Sequence, residues 1–468
     1  MTCSAERDWA IEEFGDAALG NRRRTDRLVA MASGVAAAPA GRITAVFADP
    51  ASREGAFRFV ENEHVEPRAI AEAAFRACAR RAETYSYVFV PVDGTSLNIS
   101  DWKRTKGLGI VGARFVGATG LQVMSAMAVA PDGAPLGLCG LQFWARRGRS
   151  RRRGRHDLRK VASKETNYWL QTLRCIEENF SRLASTCTPW FQLDRGADAW
   201  PVLEMCVDQR LLVTVRAARN RALWNGGDLP EKYLWGELER GPVRGTKRLE
   251  VPTRAGRPGR TATLSVRYAD VVLDLHNAKG RHRRPAAVTA VLVREVGRIP
   301  DAEERIEWLL LTTHPVGDFG DALAVIDGYA SRWTIEDFHR AWKSGCCQVE
   351  TTQLRSSEHI QRWATILAAV AVRVMRLAKL ARTEPELPAT VELRQSEIDA
   401  IILTRRRTGY SPGDVPTIGE AVTWLAEVGG YTGKSSGGPP GAAVLSRGIL
   451  RIQALADYLE LKRGDDEK

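Results

Sequence analysis

The sequence predicts an α/β protein with a sheet-containing core, a large β-rich insertion and helical regions at both ends. Three observations carry this. Short runs of β-branched and aromatic residues, at Val88–Val92, Leu121–Val129, Leu136–Phe143 and Trp190–Leu193, alternate with helical patterns. The stretch from Leu211 to Leu311 reads mostly as strand, broken by Gly, Pro and basic turns. Long helical patterns then dominate, at Ala364–Arg382, Thr423–Val428 and Leu445–Leu461.

Composition bounds the class. A chain of 468 residues is long enough for roughly two to four domains. Hydrophobic residues make up 44% and charged ones 26%, as in a soluble protein. Ala364–Val372 is cut short by Arg373, so no apolar run reaches membrane-spanning length. The N-terminus lacks the apolar segment of a secretory leader. The eight cysteines show no CxxC or Cys/His metal spacing, which points to a reduced cytoplasmic chain. Net charge is +12, which favours a polyanionic partner. Nine Arg or Lys residues and one Asp crowd between Arg146 and Lys160. Such a block is either a solvated segment or a track for a phosphate backbone.

In chain order, residues 1 to about 70 form a helical unit, with Trp9, Ile11, Phe14 and Leu19 on an apolar face and Gly20 ending the segment. The next helix opens on Asn21-Arg22-Arg23-Arg24-Thr25-Asp26-Arg27, a cluster that suits phosphates or a solvated basic face. Strand Val88–Val92 delivers Asp93, followed by Gly94-Thr95. An acid on an apolar strand requires a cation or donor; an Asp-Gly turn is the alternative. Trp190–Leu193 ends in Asp194-Arg195-Gly196-Ala197-Asp198, a second acid at a strand end or a simple helix cap. The β-rich stretch contains separate strands at Leu211–Val215, Lys247–Val251, Ala262–Val266, Val271–Leu275, Val288–Val293 and Trp308–Leu311. A linker at Thr383–Pro388, a flexible Gly430–Gly441 stretch and a disordered tail from Lys462 punctuate the C-terminal part.

Tyr329 to Lys343 organises the rest. At 3.6 residues per turn, Tyr329, Arg332, Glu336, Arg340 and Lys343 share one stripe, and Ile335, Phe338 and Trp342 the opposite one. One stripe has a core to bury; the other gathers an acid, three cations and a phenol, the groups needed where a metal and a phosphate meet. A surface helix with internal ion pairs gives the same pattern. Thr334 with Asp337 resembles a capping box, so the helix is expected to restart near there.

The spacing Tyr-x2-Arg-x3-Glu-x6-Lys matches the signature of the insertion-sequence-four (IS-4) family of DDE transposases. The resemblance extends in order through Ala18-Leu19-Gly20, Arg23-Arg24-Thr25, Glu54-Gly55-Ala56-Phe57-Arg58-Phe59, Asp93-Gly94-Thr95, Asp194-Arg195-Gly196-Ala197-Asp198 and Trp308-Leu309-Leu310-Leu311-Thr312. It implies an RNase H-like catalytic core at residues 71–382, interrupted by a β insertion at about 208–315. It also implies an N-terminal end-binding domain at 1–70 and a C-terminal dimerisation region at 389–468. Asp93, Asp194 and Glu336 would hold two Mg2+ ions, with Mn2+ able to substitute, for phosphoryl transfer. Arg23, Arg24, Arg27, Arg216, Tyr329, Arg332, Arg340 and Lys343 would contact DNA, and Trp308 would stack on a base flipped from the transposon end or sit in the core. The implied partners are transposon-end and target double-stranded DNA and a second copy of the chain, in the bacterial cytoplasm at the nucleoid. The Arg-rich block is more basic than the family pattern, and a catalytically silent, DNA-binding relative is the rival reading.

Overall fold

The computed structural model describes residues 5–112, 117–146, 165–224, 230–251, 259–276, 283–300, 303–406, 408–433 and 439–466. Of the Arg-rich block, only Arg146 lies within them; its guanidinium meets Glu165 at 2.7 Å.

Five helices come first: α1 (Ala5–Phe14), α2 (Arg22–Ala37), α3 (Ile43–Val46), α4 (Pro50–Glu61) and α5 (Pro67–Ala82). Phe14 and Leu19 are buried, but Ile11 faces solvent, correcting its expected place on the apolar face. The Asn21 side chain caps α2 by accepting from the Arg23 N–H at 2.8 Å, so the arginine cluster begins in the first helical turn.

The sheet follows. β1 (Tyr87–Asn98), β2 (Gly109–Ile110), β3 (Thr119–Val129) and β4 (Pro135–Trp144) are antiparallel neighbours. After α6 (Thr166–Leu183), β5 (Thr188–Leu193) joins β1 in parallel. α7 (Trp200–Asp208) then leads to β6 (Val213–Arg216), parallel to β5. β1 does not turn at Asp93-Gly94: it runs on, with Asp93 opposite Ser125 of β3. The Asp-Gly turn alternative is thereby excluded.

The insertion contains α8 (Leu234–Arg240), β7 (Gly245–Val251), β8 (Arg260–His276) and β9 (Arg283–Val296), and returns as β10 (Glu307–Thr312). Its strands extend the core sheet, in the order β2-β3-β1-β5-β6-β10-β9-β8-β7. The two strands expected at Ala262–Val266 and Val271–Leu275 are one continuous β8, because Arg267 to Asp270 pair with β9 throughout and the chain makes no turn at Asp270.

Helices α9 (Phe319–Ser331), α10 (Trp333–Lys343) and α11 (Ser357–Thr383) cover the core. Ile335, Phe338 and Trp342 are fully buried, and the Trp342 indole N–H donates to Ala364 O at 3.0 Å, tying α10 to α11. Gly328 lets α9 approach closely: a Cβ there would stand 2.6 Å from the Phe89 ring. Arg362 of α11 is buried and donates to Val60 O at 2.9 Å, and Trp363 donates to Gly41 O at 2.8 Å, so the N-terminal helices are bound to this helix. The chain closes with α12 (Gln395–Arg405), α13 (Ile418–Val428) and α14 (Ala442–Asp466). The first of these has no counterpart in the sequence reading, and the last continues through the tail expected to be disordered. Within the Gly430–Gly441 stretch, residues 434–438 lie outside the described residues. No described helix is long and apolar enough to cross a membrane.

Candidate active site

Parallel pairing places two acids side by side. The register of β1 on β5 ends at Val92 opposite Leu193, so Asp93 and Asp194 each follow the last paired residue. Neighbouring strands lie about 4.8 Å apart, and equal steps along parallel strands place side chains on one face. Asp93 accepts from the Gly94 N–H at 2.7 Å, and Asp194 from the Gly196 N–H at 2.7 Å, which fixes each carboxylate near its own backbone. Asp198 belongs to the scaffold: its buried carboxylate accepts from Arg221 at 2.7 Å and from the Ala218 N–H at 2.7 Å.

The third acid comes from the helix pair. Arg332 caps both α9 and α10 with helical φ −54 and ψ −30. Hydrogen bonds tighten there to i→i−3, from Arg332 N–H to Tyr329 O at 3.1 Å and from Ile335 N–H to Arg332 O at 3.2 Å. The helix therefore restarts two residues before Thr334. Tyr329, Arg332 and Glu336 still meet: the Arg332 guanidinium lies 5.9 Å from the Tyr329 ring centroid and donates to Glu336 at 2.6 Å. It also lies 3.7 Å from Asp93, standing between two of the acids.

Electrostatics reports the convergence. Burial and the Asp194 charge push the Asp93 carboxyl up to about 6, with Glu336 adding to them and Arg332 opposing. Among the described residues, however, no three His, Cys, Asp or Glu side chains form a finished metal cage. The acids share one electrostatic neighbourhood, with Arg332 as the counter-ion common to Asp93 and Glu336. An all-carboxylate donor set suits hard divalent cations such as Mg2+, and the charge held on Asp93 at the cost of its burial is one such a cation relieves.

Lys343 reaches the same neighbourhood, 3.5 Å from Thr95 Oγ1 and 3.5 Å from Glu350. Glu350, absent from the sequence reading, also accepts from the Asn98 N–H at 2.9 Å. Arg340 turns away: it pairs with Asp337 at 2.8 Å and lines a cavity of 440 Å3 with Thr334 and Arg382. Arg216 donates to Glu307 O at 2.9 Å and lies beside the Tyr329 phenol. Burial raises that phenol above its usual range, while Arg332 and Arg216 oppose the rise. Trp308 is buried, edge-on to Tyr329 with centroids 5.2 Å apart, a packed ring in this structure. The Nε atoms of Arg216 and Arg332 are buried and make no hydrogen bond. Two guanidinium donors beside one phenol, each lacking an acceptor, match the oxygens of a phosphate.

Sequence reasoning also missed what lies behind Asp93. Ser125 Oγ is 3.3 Å from Asp93 O and 2.6 Å from His339 Nε2 on α10. Burial, aided by Lys343 and Arg332, pushes this imidazole down to about 3, so it is neutral. The only available signal was a histidine one turn beyond Glu336, indistinguishable from a core residue. In the N-terminal helices, Asn21, Arg23, Arg24, Arg27, Gly55 and Arg58 line a cavity of 430 Å3. Arg24 donates to Leu19 O at 2.9 Å, whereas Arg23 and Arg27 have no ion pair among the described residues.

Three family models match this chain. Transposase DNA-binding matches residues 6–65, Transposase DDE domain residues 142–373, and Transposase Tn5 dimerisation domain residues 369–466. The DDE match contains Asp194 and Glu336; Asp93 lies before it. An RNase H-like sheet with converging acids, between a DNA-binding unit and a dimerisation unit, defines a DNA transposase. The chain belongs to the IS-4 family of DDE transposases, on the Tn5-like side of that family. No finding favours the catalytically silent alternative.

Proposed function

We propose that this transposase moves its element by cut and paste at the site formed by Asp93, Asp194 and Glu336. Two divalent cations, magnesium or in substitution manganese, would be held by these carboxylates and would polarise the attacking and leaving oxygens of the phosphodiester. The chain's own residues position the DNA. Arg332 exchanges its carboxylate partners for a phosphate oxygen, using the Nε donor that has no acceptor. Arg216 offers a second such donor, with the Tyr329–Trp308 pair as the wall against which an unstacked base could lie. Lys343, steered by Glu350, holds the neighbouring phosphate. Arg23, Arg24 and Arg27 grip the transposon end, with residues 1–70 as the end-reading unit and 389–468 pairing two copies in the synapse, at the nucleoid.

In this reading water first nicks the end. The freed 3′-hydroxyl attacks the opposite strand, closing a hairpin and releasing the flanking DNA, and water reopens the hairpin. The same 3′-hydroxyl then attacks a target phosphodiester and displaces a target 3′-oxygen. The observation that carries this is the meeting of Asp93 and Glu336 on Arg332, with the Asp194 charge acting on Asp93, beside two buried guanidinium donors without acceptors. The test is to incubate protein, magnesium and end-containing DNA. Hairpin ends are expected, and Glu336→Gln should abolish them; uncut DNA with wild-type protein, or full cleavage by the variant, defeats the reading.

A further inference from the structure

We propose that the turn carrying Trp102 is a contact for target DNA. β1 continues from Asp93 to Asn98, and the loop that follows presents Trp102 with 96% of its surface exposed. An indole this bare is an unusual surface residue, and aromatic rings with a wet edge concentrate at recognition surfaces.

The loop is built to hold the ring outward. The buried Asp101 carboxylate accepts from the backbone N–H groups of Thr105 at 3.0 Å and Lys106 at 3.1 Å. Arg104 takes a left-handed conformation with φ 50 and donates its N–H to Asp101 O at 3.1 Å. Lys106 O accepts from the Ser357 N–H at 2.6 Å, fastening the loop to the start of α11. The only acid of the turn is thus spent on backbone, while Trp102, Lys103 and Arg104 all stand exposed. This is an exposed aromatic ring among cations on a tied-down turn, the combination that binds a polyanion with stackable bases.

Position chooses the DNA. Asn98 lies five strand steps of about 3.3 Å beyond Asp93, which places the loop that follows on the order of 20 Å from the acids. A duplex with one phosphate at the acids would reach it within about two-thirds of a turn. The transposon end already has its reader in the segment matched as DNA-binding at 6–65. Indole wedging and phosphate neutralisation act at any base step and carry little sequence readout. They suit the duplex whose sequence the element does not specify. The inference rests on the strand-transfer step proposed above.

The test joins pre-cleaved end duplex to a plain target duplex in magnesium and measures end cleavage in parallel. Trp102→Ala should lower the ratio of joining to cleavage about tenfold. Trp102→Phe should lose less, and Lys103→Ala with Arg104→Ala should raise the target concentration needed. A target softened by a central mismatch should restore joining to Trp102→Ala, because the wedge then has less unstacking to do. An unchanged ratio, or an equal loss of end binding in a gel shift, overturns the assignment. Wild-type protein that joins nothing refutes the strand-transfer reading and this inference with it.

Discussion

Ser125 Oγ and His339 Nε2 lie 2.6 Å apart behind Asp93, and the same hydroxyl stands 3.3 Å from the Asp93 carbonyl. A neutral imidazole donating from Nε2 leaves the hydroxyl proton free for that carbonyl, so a single tautomer satisfies both contacts. The pair connects the helix of Glu336 to the strand of Asp93. Supports of this kind typically set metal affinity and activity by about 10- to 100-fold. Ser125→Ala and His339→Leu should therefore need more magnesium for half-maximal cleavage and cut more slowly, with end binding retained. Ser125→Thr, which keeps the hydroxyl, should recover much of the rate in a magnesium titration.

The same imidazole predicts a pH effect. Its folded value, about 3, lies below the 6.5 of an ordinary histidine. The unfolded chain takes up the proton first, so this contribution to stability is complete above pH 6.5 and shrinks as pH falls towards 3. Between those limits His339→Gln should flatten the fall of melting temperature with pH. An unchanged slope by calorimetry would contradict the buried, neutral assignment.

Asp93 runs the other way. Its folded value is about 6 against 3.8, so the fold carries a cost that grows as pH rises through this window and is complete above it. That cost is about 3 kcal/mol at most. At pH 7.5, Asp93→Asn should melt a few degrees higher than wild type, with no advantage below about pH 4. It should also abolish end cleavage and lose the stabilisation that added magnesium gives the wild type. Thermal melts at the two pH values, with and without the cation, check both parts.

The N-terminal arginines yield a salt test. Arg23→Ala and Arg27→Ala should each weaken binding to end DNA and lower the slope of log K against log salt by about one. Arg22→Ala, which removes a residue paired with Asp26 at 2.9 Å, should change the slope less. Fluorescence anisotropy across a salt series measures all three.

Much of this site could be read from residue order. Asp93 and Asp194 each end an apolar run, and the period of Tyr329–Lys343 separates a buried stripe from a charged one. Periodicity cannot show where side chains finally lean. Arg340 falls on the charged stripe by spacing but takes Asp337 as its partner and turns away. Trp308 has the same sequence context whether it is packed or free; only three-dimensional packing places its ring against Tyr329. Strand ends were legible where turn formers cluster, and β8 was split in error around Asp270, a lone turn former that pairs with Thr289 inside the ladder. Contacts between residues far apart in sequence, such as Asn98 with Glu350, left no local trace at all.

The long excursion between β6 and β10 begins after Arg216 and returns as β10, whose Leu310 stands directly opposite Arg216. The strands that carry its two ends are thus next-door neighbours, separated by about one inter-strand spacing. A segment joined through so narrow a doorway is an exchangeable cassette: a short hairpin could close the gap without moving either flanking strand. Lineages could accordingly trade this lobe while inheriting the strands that flank it, and with them Arg216 and Trp308, intact.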